Sequence, residues 1–104
     1  MGPYSIDIND YQSIMKFFTA LGDPIRLQIV YILGDRGKLN VSEIAKEFEI
    51  SRPSISHHLK ILRDAQILES KKMGQEVFYW LARDIVASNL QLLADTIREM
   101  NCSS

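Results

Sequence analysis

The sequence predicts a mainly α-helical fold with one small β-hairpin. Three observations carry that prediction. Apolar residues recur at helical spacing in five separate stretches. Two β-prone runs, 68–72 and 76–81, flank Met73-Gly74-Gln75 and read as a single hairpin. With 104 residues the chain makes one domain, and a hydrophobic share of 46% is enough to fold it.

The elements follow in order. In the first helix, roughly residues 10–21, Tyr11, Ile14, Phe18 and Leu21 are spaced 3, 4, 3, as in a helix–helix seam. Asp23 is placed to cap a second helix over 24–34, with Pro24 at its first position. Ile25, Ile29, Val30, Ile32 and Leu33 give that helix a broad apolar face, so it reads as scaffold. Gly34 and Gly37 bracket Asp35-Arg36 as a turn out of it. Asn40 with Glu43 three positions on makes a capping box for a short helix over 41–48, which would bury Ile44, Ala45 and Phe48.

Residues 51–63, Ser-Arg-Pro-Ser-Ile-Ser-His-His-Leu-Lys-Ile-Leu-Arg, are the most informative stretch. Ser51 is a candidate N-cap, and Pro53 is tolerated because first-turn N–H groups have no intrahelical partner. Ile55, Leu59 and Leu62 line one face. Opposite them, at about 100° per residue, lie Pro53, Ser56, His57 and Lys60, while Arg52 reaches either flank. Short hydroxyls such as Ser54 and Ser56 let a helix approach a DNA groove closely, where imidazole and guanidinium reach base edges or phosphates. Two short helices joined by a tight turn, residues 41–65, make a helix-turn-helix. The hairpin that follows, residues 67–81 with Lys71 and Lys72 near its tip, adds a basic wing. The last helix, roughly 84–100, carries Val86, Leu90, Leu93, Ile97 and Met100 at 4, 3, 4, 3 spacing, a second seam. Met15, Phe17, Ile85 and Leu92 add apolar surface beside the two seams.

Net charge is −1, which argues against nucleic acid until its distribution is read. Residues 51–72 hold Arg52, Lys60, Arg63, Lys71 and Lys72 against Asp64 and Glu69, while both ends of the chain are acidic. Positive charge is thus concentrated on the helix and hairpin that would meet DNA, which is the footprint that counts.

In order, Ala20–Leu33, Asn40–Phe48, Ser51–Leu68 and Gly74–Leu81 resemble the ArsR/SmtB family of bacterial winged-helix transcription regulators. The resemblance runs from about residue 10 to the C-terminus. It implies a homodimer joined through residues 1–22 and 84–100, usually a repressor, bound to double-stranded DNA. By the same resemblance Arg52, Pro53, Ser56 and His57 match the family's DNA-facing positions, and Lys71, Lys72, Gly74 and Gln75 match its wing. A two-fold dimer would set its recognition helices about one DNA turn, ~34 Å, apart and expect a palindromic operator.

Many members of that family release DNA on binding a metal, but this chain lacks the usual ligands. The family's thiolate site falls in the neighbourhood of residues 41–48, which hold Val41, Ser42 and Ile44 and no Cys. Its other site pairs ligands of the last helix across the dimer, where Asp84 is present but Val86, Ile97 and Met100 occupy the positions that need imidazoles. His57 and His58 are adjacent and point about 100° apart, a poor chelate. His57 is the DNA-facing one, and His58, at the edge of the apolar face, reads as structural. No metal and no cofactor is expected. Cys102, near the C-terminal end of the sequence with no Lys or second Cys close by, reads as inert, with an intersubunit disulfide as the less favoured alternative.

The nine aromatics include candidates for lining an apolar pocket for an organic effector at the dimer seam, and core packing explains them as well. A small organic or redox effector therefore stays open, as does control by abundance or by a protein partner. No phosphate loop, metal cluster or nucleophile elbow supports an enzyme. One cysteine, no secretory leader and no apolar run near the ~18–20 residues of a membrane span predict a cytoplasmic protein. The remaining alternative is a winged helix used as a protein-interaction module without specific DNA binding. That module would not need Arg52, His57 and a lysine-bearing wing together.

Overall fold

A computed structural model describes the backbone of residues 8–100 and the side chains of residues 11–100. The elements run α1 (Ile8–Leu21), α2 (Pro24–Arg36), β1 (Leu39–Asn40), α3 (Val41–Ala45), α4 (Arg52–Asp64), β2 (Leu68–Met73), β3 (Glu76–Leu81) and α5 (Arg83–Glu99). The chain is elongated, 53 × 23 × 20 Å.

Several boundaries have an identifiable cause. The Asp23 carboxylate accepts from the N–H groups of Ile25 (2.9 Å) and Arg26 (3.1 Å), capping α2, and Pro24 stands in its first turn. The helix passes through Gly34 and ends at Gly37, whose φ of 88° suits glycine, so the turn expected at 34–37 is the last turn of α2. Arg83, at the start of α5, donates to the Gly34 carbonyl (2.7 Å) and satisfies one of the helix's last free acceptors. The capping box at α3 is formed. Glu43 N–H donates to the Asn40 side chain (2.8 Å), and Asn40 N–H donates back to the Glu43 carboxylate (2.9 Å). The helix is shorter than the expected 41–48. After Ala45 the chain tightens into turns, with Glu47 N–H on Ile44 O and Phe48 N–H on Ala45 O.

The end of α4 is a feature the sequence does not announce. Ile67 N–H bonds Leu62 O and Gln66 N–H bonds Arg63 O, a Schellman closure, with Gln66 left-handed at φ 64° where glycine is usual. Ile67 and Leu62, both fully buried, make the accompanying apolar contact.

The sheet has three antiparallel strands, ordered β1-β3-β2. Strand β1, too short for periodicity to reveal, pairs Leu39 with Tyr79 and Asn40 with Phe78. In the hairpin Met73 pairs with Glu76, so the turn is Gly74-Gln75 alone and not the three residues expected. Gly74 takes φ 66°, the glycine-first pattern of a tight hairpin turn.

The core gathers Phe17 and Ala20 of α1, Ile29 and Leu33 of α2, Leu39 of β1, Ile44 of α3 and Ile55, Leu59 and Leu62 of α4. Ala65, Ile67, Leu68, Tyr79 and Val86 complete it. It corrects two expectations. Phe17, which the spacing predicts as surface beside the seam, is driven into the core with Ala20, and the Phe18 ring stands against it edge-on at 4.9 Å. Val86, which the seam spacing predicts as an interface residue, is buried in the core of its own chain, because the first turn of α5 lies on the body of the domain.

Candidate nucleic-acid interface

The candidate interface starts at the α4 N-terminus. Ser51 caps α4 by accepting the Ser54 N–H (3.3 Å), and its hydroxyl also lies 3.0 Å from the Ser54 hydroxyl. Ser54 is therefore tied to the cap, which fixes the first turn. Ile55, Leu59 and Leu62 are sealed in the core, so the rotation of α4 about its axis is set. That rotation leaves Arg52, Pro53, Ser54, Ser56, His57, Lys60 and Arg63 exposed. Arg63 has a loose contact with Asp64 (3.7 Å), and both are well exposed, so little charge is neutralised there.

The wing stands beside this helix. Lys71 and Lys72 pair with Phe78 and Val77, so successive lysines point to opposite faces of the hairpin. Both are exposed, as are Gly74 and Gln75 at the tip. Glu76 is held by the Asn40 amide (2.7 Å), which ties the hairpin to the α3 cap. At the wing root the Trp80 indole N–H donates to Glu69 (2.8 Å), and the Lys38 ammonium lies 4.6 Å from the centre of a Trp80 ring.

His58 faces inward from α4. Its Nδ1 lies 3.1 Å from an Arg26 guanidinium nitrogen and 3.9 Å from the Asp23 carboxylate. Arg26 also donates from Nε to Ala20 O and reaches Thr19 O at the end of α1. The backbone N–H of Arg26, helped by the Arg26 charge and the Ile25 N–H, holds the Asp23 carboxyl below its ordinary pKa of 3.8 against some desolvation. Sequence reasoning marks His58 as structural but not Arg26, because the two are 32 residues apart and no periodicity links them.

The expected interface side chains come from the first and last helices of the chain. Tyr11 on α1, Leu90, Leu93 and Ile97 on α5 and Met100 at its C-cap are exposed, whereas Ile14, Phe18 and Leu21 are half-buried, the last two against their own core. Met15, Ile85 and Leu92 are exposed as well. A shallow apolar groove of about 290 Å³ lies between α1 and α4, lined by Met15, Lys16, Thr19, Ala20, Ile61 and Asp64. Its lining includes no aromatic side chain among the described residues. Phe17 and Tyr79 are buried, and Tyr4 lies outside the described residues, as does Cys102.

Among the described residues no three His, Cys, Asp or Glu side chains gather to hold a metal ion. Asp84 is exposed near the start of α5, and Ile97 and Met100, at the far end of that helix, carry apolar side chains with no imidazole. The donor set does not fit either of the family's usual metal sites.

Helix, capped turn, sealed recognition helix and basic hairpin together define a winged helix-turn-helix of the DNA-binding class. The model of the arsR family of bacterial regulatory proteins matches residues 23–70. An HTH-type transcriptional regulator of Methanocaldococcus jannaschii is 37% identical over 83 residues, 80% of this chain and 93% of that one. A transcriptional repressor, an SmtB homolog of Synechocystis sp., is 32% identical over 97 residues, 93% of this chain and 73% of its own. A homodimeric winged helix-turn-helix DNA-binding domain from Mycobacterium bovis superposes with a TM-score of 0.73 over 100% of this chain and 96% of that one. At 19% identity that last likeness is one of fold. The chain belongs to the arsR family of bacterial regulatory proteins. It is a transcription regulator and not an enzyme.

Proposed function

We propose that the chain is a homodimeric repressor that reads a palindromic operator in the cytoplasm without control by a metal. The observation that carries this reading is the division of α4. Its apolar side is sealed by Ile55, Leu59 and Leu62, while Arg52, Ser56, His57 and Lys60 stand exposed together on the other. Arg52, Ser56 and His57 read base edges in the major groove, with Pro53 and Ser54 allowing close approach. Lys60, Arg63, Lys71 and Lys72 hold phosphates, and Gly74 and Gln75 let the wing tip lie along the backbone. The exposed stripe Leu90, Leu93, Ile97 and Met100 with Tyr11 supports pairing through α1 and α5. The M. bovis neighbour is a homodimer of the same fold. The apolar and hydroxyl side chains that stand at the family's metal-ligand positions support an effector of another kind, organic or redox, or none.

The test is a titration of the purified protein against its own upstream promoter and a scrambled duplex, at two salt concentrations, with and without zinc. The reading expects tight, promoter-preferring, salt-sensitive binding that ignores zinc. Release by zinc overturns the metal-independent part. Equal, weak binding to both duplexes moves the chain to the interaction-module alternative.

A further inference from the structure

A guanidinium donates and never accepts, so a hydrogen bond across the 3.1 Å contact between Arg26 and His58 requires Nδ1 as the acceptor, with the ring proton on Nε2. The same guanidinium is anchored on the Ala20 and Thr19 carbonyls, so one side chain connects the end of α1, the start of α2 and the middle of α4. A proton added at Nδ1 would face the Arg26 cation. It would find its nearest acceptor in the Asp23 carboxylate, 3.9 Å away, which now caps α2.

We propose that Arg26 is a positioning residue that seats the recognition helix through neutral His58, so that acidification transfers His58 from Arg26 to Asp23 and relaxes sequence-specific DNA binding. This rests on α4 being the reading helix. Among the described residues, Asp23 and Arg26 face His58 from the α1–α2 corner, His57 on α4 has its ring 6.2 Å off, and α1 holds Arg26 by its Ala20 and Thr19 carbonyls while its Lys16 lines the groove against Ile61 and Asp64 of α4. Helix α3 and strand β2 add no ion pair to it among the described residues. His58 is one residue from His57 on the exposed side, so a change in seating passes directly to the reading face.

The experiment separates seating from charge by reading a ratio. Protonation adds positive charge, which strengthens binding to all DNA alike. The ratio of promoter to scrambled-duplex affinity responds only to fit. It is measured from about pH 7.5 to about pH 5.5, for the wild type, Arg26→Gln and His58→Asn. In His58→Asn the side-chain amide oxygen would stand near the place of Nδ1 and accept from Arg26, but the amide cannot titrate. On acidification the wild-type ratio falls about fivefold further than that of His58→Asn, the worth of one hydrogen bond, while His57 is common to both. Arg26→Gln lowers the ratio at the higher pH already. Equal pH dependence in the wild type and His58→Asn overturns the proposal.

Nitrogen-15 NMR of the free protein makes the second measurement. An Nε2–H tautomer, with the Asp23 carboxyl carbon shifting as His58 titrates, supports the link. An Nδ1–H tautomer overturns it. A protein with no promoter preference at any pH fails the reading-helix assignment, and the NMR result then still decides the link itself.

Discussion

Arg52 and His57 owe their positions to residues that never meet DNA. Ser51 fixes the first turn of α4, and Leu59 and Leu62 fix its rotation. Arg52→Ala or His57→Ala should cost about 1–3 kcal/mol at the operator and relax specificity at the contacted bases, read by titration on single-base operator variants. Unchanged binding by both, with folding intact, would remove them from the reading face. Gln66 gives a stability prediction of opposite sign. It takes a left-handed conformation that costs a non-glycine residue about 1–2 kcal/mol, of which glycine's extra chain entropy returns a part. Gln66→Gly should therefore raise unfolding stability by about 0.5–1 kcal/mol in urea. Asp23 supplies the acid side. Its folded carboxyl titrates below the ordinary 3.8, so the ionised form stabilises the fold above that value. That contribution is lost as pH falls through the lowered value. The stability gap between wild type and Asp23→Asn should be present at neutral pH and close in strong acid. Of these residues the sequence displays Arg52, His57 and the Asp23 cap through spacing and type. It does not display Gln66, because nothing about glutamine signals a left-handed turn, nor Arg26, whose partner is remote in the chain.

At the scale of elements, the helices were legible where amphipathic period and caps agree. Asn40 and Glu43 mark the start of α3, and Ser51 marks the start of α4. The ends were less legible. Helix α2 continues through Gly34 because Gly37 and Arg83 satisfy its last carbonyls, and Arg83 is 49 residues away from Gly34. Strand β1 was invisible because two residues have no period, and only the β3 edge makes them a strand. The wing is an element defined by register, which puts Lys71 and Lys72 on opposite faces. Lys72→Ala should accordingly weaken promoter and scrambled duplex by similar factors and lower the salt slope by about 1, a different signature from the α4 substitutions.

The whole molecule is elongated and leaves α5 with little cover of its own. Seam spacing made that helix legible as an interface candidate, but spacing alone does not separate Val86, which the domain buries, from Leu90 and Ile97, which it leaves exposed. The same limit put Phe18 ahead of Phe17 on α1, since neighbouring aromatics fit either phase of the period. Under the dimer proposal Leu93→Glu should yield a folded monomer by analytical ultracentrifugation. Its operator affinity should drop by about 100-fold or more once the two half-sites are no longer bound together. An unchanged dimer would place the two-fold elsewhere.

Trp80 is the chain's single tryptophan, and it stands at the wing root between the Glu69 carboxylate and the Lys38 ammonium. Indole emission depends on the charges around the ring. The protein therefore carries its own optical reporter, free of background from a second indole. Any ligand or duplex that displaces the wing shifts the position of one side chain between two opposite charges, and the emission colour of the unlabelled protein records it.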